Sequence, residues 1–174
     1  MYCTNNPVIY YDPSGYACEK EESAKDCSLE KDQVKNWKGE TVTIPEGHKM
    51  SPRDPDFSEP PIFEEGPFTS AQRDAFLAGS PGDTHIAAHH RHQIPVRDGG
   101  VIDELRGPGH PLGNNHTKGT PSRHPGKSIF NAEPGGNALR SSETSQSFMD
   151  KGKRLKEKET GKWYDPGPSN KGKK

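Results

Sequence analysis

Apolar residues in this chain fall in short clumps separated by long polar, proline-bearing stretches, and only a few clumps have the spacing of a regular element. Val8-Ile9-Tyr10-Tyr11 is β-branched and aromatic between two turn signals, Asn5-Asn6-Pro7 and Asp12-Pro13-Ser14-Gly15, and predicts a short strand. Glu19 to Gln33 allows a short charged helix, although its apolar positions are too sparse to mark a buried face. Thr41-Val42-Thr43-Ile44 alternates before Pro45 and predicts a second strand. From there to Pro67, prolines at 45, 52, 55, 60, 61 and 67 exclude regular structure over most of the segment.

Thr69 to Ala78 carries the clearest helix signal. Thr69 is a good N-cap, Gln72 completes a capping box, Gly79 supplies the stop, and Ala75, Phe76 and Leu77 would dock it onto a core. Asp83 to Ile94 admits two structures. A helix capped by Asp83 would gather His85, His89 and His92 on one face. A strand would put His90, His92 and Ile94 on one face and His89, Arg91 and Gln93 on the other. Pro95 ends either one. Further on, Asp98-Gly99-Gly100 reads as a hairpin-like turn, 107–117 as loop, and Asn137 to Asp150 as a modest helix that the basic Lys151–Lys158 either extends or leaves in solvent.

Composition narrows the architecture. Only 26% of the 174 residues are hydrophobic, with 17 Pro and 19 Gly, too few apolar side chains to order a globule of the full length. One small domain over residues 67–165 is expected, preceded by an acidic, Pro-rich linker (17–66) and followed by a disordered basic tail (166–174). No apolar run approaches a membrane span, and no signal-peptide pattern opens the chain. The net charge of −1 hides an asymmetry: residues 17–66 carry 13 acidic and 7 basic side chains, and residues 150–174 carry 9 basic and 4 acidic. A basic end beside a neutral histidine region suits a polyanion, or merely keeps the chain soluble. Cys3, Cys18 and Cys27 lack metal-site spacing, and an odd count so placed argues against a disulfide framework.

Seven of the eight histidines lie between Asp83 and His124: His85, His89, His90, His92, His110, His116 and His124. Imidazole titrates near neutrality and, when neutral, ligates zinc or nickel, so such a cluster suits metal binding and proton transfer together. Ser122 and Ser128 stand near histidines, but no Gly-x-Ser-x-Gly elbow supports a serine hydrolase. Arg91, Arg97, Arg123 and Lys118 are interspersed where they could hold phosphates.

Two resemblances add to this. Asn5-Asn6-Pro7-Val8 followed by Asp12-Pro13-Ser14-Gly15 resembles the end of the conserved core of Rhs/YD-repeat proteins, although Tyr16 stands where that family often has Leu. It implies that residues 1–16 are a core remnant and that a variable C-terminal toxin follows, delivered into a target cell as part of a larger effector and matched by an immunity protein. Ala88-His89-His90, followed shortly by Ile94-Pro95, resembles the first strand of the HNH/endonuclease VII-type nucleases, with Arg91-His92-Gln93 as an insertion. That resemblance implies an α+β domain of ββα-metal type in which one histidine ligates a divalent metal (Mg, Zn or Ni) and its neighbour is the general base. It leaves two registers open: His89 as ligand with His90 as base, or His92 in the base position. Asn115 is the candidate for orienting the base, and His116 and His124 are candidate further ligands, although Gly119, Pro121 and Pro125 fit a ligand-bearing helix badly. The expectation is a metal-dependent endonuclease with DNA favoured over RNA. The rivals are a toxin of another enzymatic class (a metal-dependent hydrolase or a transferase) and an inactive, displaced Rhs fragment that stays in the cytoplasm.

Overall fold

Ile86 to His90 is extended, so the computed structural model takes the strand and not the helix for the histidine stretch. It describes residues 32–118 and 122–161. In chain order these form β1 (Gln33–Lys35), β2 (Thr41–Thr43), α1 (Ser70–Leu77), β3 (Ile86–His90), β4 (Ile102–Arg106) and α2 (Gly136–Thr160). The strands make two separate antiparallel pairs, β1 with β2 and β3 with β4, which gives a small α+β domain with two helices. The Val8–Tyr11 strand, the stretch 1–16, the three cysteines, Trp163-Tyr164 and the tail 166–174 lie outside the described residues, as does nearly all of Glu19–Gln33. Among the described residues, no helix is long and apolar enough to cross a membrane.

β4 explains how so polar a sequence holds together. It pairs with β3 in the register Ile86↔Arg106, Ala88↔Glu104 and His90↔Ile102. Successive side chains of a strand point to opposite faces, so Asp103 and Glu104 enter the protein on different sides, and both are buried. Each is neutralised. Asp103 receives the Nε and Nη2 of buried Arg91 at 2.9 and 2.7 Å. Glu104 takes Lys151 and, at 2.6 Å, Arg154, both from α2. The same carboxylates accept the backbone amides of Ile62 and Glu64 at 2.9 Å, while Glu104 N donates to Ile62 O. The 62–64 segment therefore runs along β4 without being a strand.

Two apolar clusters complete the interior. Phe76, Ile86 and Phe148 join α1, β3 and α2, with the Phe76 and Phe148 rings stacked at 6.0 Å and Phe68 edge-on to Phe76 at 5.1 Å. Val42, Ile44, Phe57, Ile94 and Val101 form the other. The second cluster draws on the stretch read from composition as a linker. From residue 33 onward that stretch is packed into the domain, because its prolines forbid regular hydrogen bonding but not burial.

The capping box at Thr69 forms as the sequence predicts: Gln72 N donates to Thr69 Oγ1, and Thr69 N donates to Gln72 Oε1. α2 is longer than its apolar pattern suggests and takes in the basic residues 151–158. It begins at Gly136, where a Cβ would come within 1.8 Å of Phe130 O, so only glycine lets the helix start this close to the segment before it.

Glu104→Ala would leave Lys151 buried without its counter-charge and should cost about 3–5 kcal/mol. Lys153→Ala, which removes an exposed pair with Asp150, should cost less than about 1 kcal/mol. Urea unfolding of the two variants beside wild type measures the contrast.

Candidate metal centre

β3 ends at His90, and the next three residues turn sharply. His92 and Gln93 both adopt left-handed backbone, φ +51° and +62°, a conformation that costs non-glycine residues on the order of 1–3 kcal/mol each. The turn breaks the strand alternation and sends consecutive side chains to different places. Arg91 enters the interior, where Nη1 donates to Asp56 O and Glu59 O at 2.6 and 2.8 Å and Nη2 to Pro60 O at 3.0 Å, in addition to its pair with Asp103. It is fully buried and unavailable to a phosphate. His92 is a brace: its Nδ1 accepts from Ser51 N at 3.1 Å, and its Nε2 lies 2.9 Å from Pro55 O. With both ring nitrogens engaged by backbone, it has no lone pair left for a base.

His89, His116 and His124 come together. Their ring centroids lie 5.0–5.5 Å apart, and one nitrogen of each falls within 4.8 Å of the others. His89 comes from β3; the other two come from the loop between β4 and α2, not from a helix. Asn115 sets that loop. Its Oδ1 accepts from Arg106 N at 2.6 Å, while the amides of Asn115 and His116 donate to Arg106 O. Arg53 and Arg123 each donate to Asn115 O, at 3.2 and 3.1 Å. Asn115 therefore positions His116, in place of the role of orienting a base that the resemblance implied.

Asp54, from the proline-rich segment, orders the trio. His89 Nε2 is 2.9 Å from its Oδ2 and 3.1 Å from Oδ1. Arg123 donates to Oδ1 at 2.6 Å, and His92 N to Oδ2 at 2.7 Å. Burial alone would raise the Asp54 pKa. The hydrogen bond and attraction of His89, with His92 N and Arg123, outweigh it and bring the carboxyl down to about 2. An ionised Asp54 fixes the proton of His89 on Nε2, which leaves Nδ1 as the lone pair. That Nδ1 is buried and has no hydrogen-bond partner.

An ion is the natural partner for that orphaned atom. Burial, then the neighbouring His89 and His124, push His116 down to about 4; burial also lowers His124. Imidazoles that resist protonation keep their lone pairs for a cation. His116 Nε2 and His124 Nε2 are 3.4 Å apart, close to the spacing of about 3.3 Å that Zn–N bonds of roughly 2.0–2.1 Å impose on two tetrahedral ligands. A carboxylate behind a ligating histidine is the usual way to fix its ring and raise its basicity. The group can thus hold a metal ion, and its three neutral nitrogen donors suit zinc or nickel better than magnesium.

His90 points to the other face of β3. Its Nε2 is 2.9 Å from Glu143 Oε2 on α2, and Phe130 packs on its ring with centroids 4.7 Å apart. Glu143 is held in turn, accepting Val96 N and Arg97 N at 3.1 Å. Burial lowers the His90 pKa against the opposing pull of Glu143. His90 and all three members of the trio line one cavity of about 420 Å³. Arg97 is instead exposed and paired with Glu133 and Asp98, and the Lys118 side chain is exposed while its carbonyl receives Arg53 at 2.5 Å. The sequence had not pointed to Asp54 or Glu143. Neither has a local motif, and they reach His89 and His90 across 35 and 53 residues.

A scan against protein-family models matched none, and searches of curated proteins and of solved structures found no match either.

Zn²⁺ or Ni²⁺ added to the metal-free protein should bind with one-to-one stoichiometry and raise its Tm. His116→Ala and His124→Ala should abolish that shift, and Asp54→Asn should weaken affinity about 10–100-fold. Competition against a chromophoric chelator measures this, and an unchanged affinity in His124→Ala would refute the assigned ligands.

Proposed function

We propose that the chain is a metal-dependent endonuclease, with DNA favoured as its substrate. The observation that carries this reading is that a three-histidine group and His90, which Glu143 holds from behind, line one cavity, with His89 and His90 adjacent on a single strand. Phosphodiester hydrolysis needs a base for the attacking water and positive charge for the phosphate. In this reading His89, His116 and His124 hold the ion, which supplies charge to offset what builds on the phosphate and on the leaving oxygen. His90 is the base. With its Nε2–H directed at Glu143, Nδ1 takes a proton from water, the water oxygen bonds to phosphorus, and the bond from phosphorus to the leaving sugar oxygen breaks. Glu143 holds the ring and stabilises the imidazolium that forms. This assignment selects the first of the two registers, since His92 has no free ring nitrogen.

The order strand, strand, helix in β3, β4 and α2 agrees with a ββα-metal domain, while the provision of two ligands by a loop departs from it. The Rhs-like residues 2–16 support delivery as the toxin tip of a larger effector, with the Rhs core and a cognate immunity protein as partners.

Supercoiled plasmid should be nicked in the presence of Zn²⁺, Ni²⁺ or Mg²⁺ and left intact in EDTA. His90→Ala should slow nicking about 10²–10⁴-fold while leaving ion affinity near that of wild type. A parallel assay on RNA tests the preference for DNA. Failure of the wild-type protein to cut either nucleic acid with all three ions would overturn the proposal.

A further inference from the structure

Gln93 is 4% exposed, yet its Nε2 has no hydrogen-bond partner. A buried amide left unmatched costs about 1–3 kcal/mol, and here it sits on a residue already strained at φ +62°, directly after another strained residue. The arrangement places a carboxamide on the wall of the cavity that His89, His90, His116 and His124 also line.

Across α2, Arg140 lines the same cavity. Every other arginine among the described residues is tied down: Arg53 to loop carbonyls, Arg73 to Glu159, Arg91 to Asp103, Arg97 to Glu133, Arg106 to Glu64, Arg123 to Asp54 and Arg154 to Glu104. Arg140 alone has neither an ion pair nor a hydrogen bond. Its charge is close enough to both His90 and His124 to disfavour their protonation. The cavity thus offers a buried, unmatched neutral donor and the solvent-exposed, unpaired cation of Arg140, together with the hydroxyl-bearing Ser128 and Thr144. The remaining polar groups on its wall are the histidines already assigned and Ser141.

We propose that Gln93 and Arg140 form an oxyanion subsite that receives the non-bridging oxygens of a phosphate group, holding its phosphorus in reach of the base. Arg140 supplies charge and paired N–H donors, and Gln93 supplies a neutral donor that distinguishes a correctly seated oxygen from a merely nearby anion. The subsite rests on the nuclease reading only for the identity of the phosphate as a diester. Free phosphate and nucleic-acid phosphodiesters share the recognised chemistry.

The test uses the full chain in EDTA, so that no ion contributes to binding. Inorganic phosphate and a short single-stranded DNA oligonucleotide are titrated separately, following the Gln93 side-chain amide by NMR in wild type and the dissociation constant in Gln93→Leu, Arg140→Ala and Arg140→Lys. The Gln93 amide resonances should shift on addition of either ligand. Gln93→Leu and Arg140→Ala should each weaken binding about tenfold or more, and Arg140→Lys should recover part of it. Zn²⁺ affinity should stay within about twofold of wild type in every variant, which excludes a general loss of fold. Unshifted Gln93 resonances, or wild-type affinity for both ligands in the first two variants, would overturn the subsite. If the subsite binds phosphate but the protein cuts no nucleic acid with any ion, the nuclease reading falls and the subsite stands. Cleavage with an unaltered KM in Gln93→Leu and Arg140→Ala would do the reverse. Binding of inorganic phosphate without the oligonucleotide would identify a small phosphate as the ligand.

Discussion

Arg91 is the residue on which the other elements depend. Its guanidinium is wholly buried, and its donors go to Asp103 on β4 and to the carbonyls of Asp56, Glu59 and Pro60. A lysine could not replace it, since a single ammonium cannot span a carboxylate and three carbonyls in a fixed plane. The consequence reaches beyond stability. The loop it holds begins just after Asp54 and contains Phe57, so the same group that closes the hairpin onto the proline-rich segment also brings the carboxylate to His89. Without Arg91, three carbonyls would lose a donor, one buried acid would lose its counter-charge, and the segment that carries Asp54 would lose its hold on β4.

This explains what was legible in the sequence. Elements whose signals are local were readable: the capping box at Thr69, the alternating Thr41–Ile44 and the turn at Asp98-Gly99-Gly100. So was the concentration of imidazole chemistry at His89-His90, because a doublet on a strand puts two histidines on opposite faces whatever surrounds them. The packing of residues 33–66 was not readable. Composition marks such a segment as a spacer because it measures apolar content, whereas this one is retained by charged side chains that satisfy its backbone. His92 shows the same limit in miniature. Its place in an alternating strand was a sound inference, undone by two left-handed residues that no propensity predicts. α2 outran its apolar pattern for a related reason: Lys151 counts as a solvent residue until Glu104 is known to face it.

The domain therefore rests on ionic groups as much as on apolar ones. β4 presents one acid to each face: Arg91 from the turn after β3 meets one, and Lys151 and Arg154 from α2 meet the other. The site follows the same logic on a smaller scale. Asp54 fixes the proton of His89, Glu143 fixes that of His90, and burial keeps His116 and His124 neutral, so that three lone pairs face one space and a fourth imidazole stands ready beside them. Two of the buried polar atoms left without a hydrogen-bond partner, His89 Nδ1 and the Gln93 amide nitrogen, belong to residues that line that cavity.

The attachment of α2 also sets an order of events. Its bonds to the rest of the domain span long stretches of chain: 53 residues from Glu143 to His90, 47 from Lys151 to Glu104 and 87 from Lys151 to Glu64 O. A chain synthesised from its N-terminus can pair β3 with β4 and seat Asp54 against His89 while α2 is still being made. The wall bearing Arg140 and Thr144, and with it the Glu143 that meets His90, arrives only afterwards. Contacts of such separation are slow to close, because much of the intervening chain must be ordered first. On the ribosome, the histidine trio can therefore precede the cavity, and His90 gains its partner only once α2 has been made.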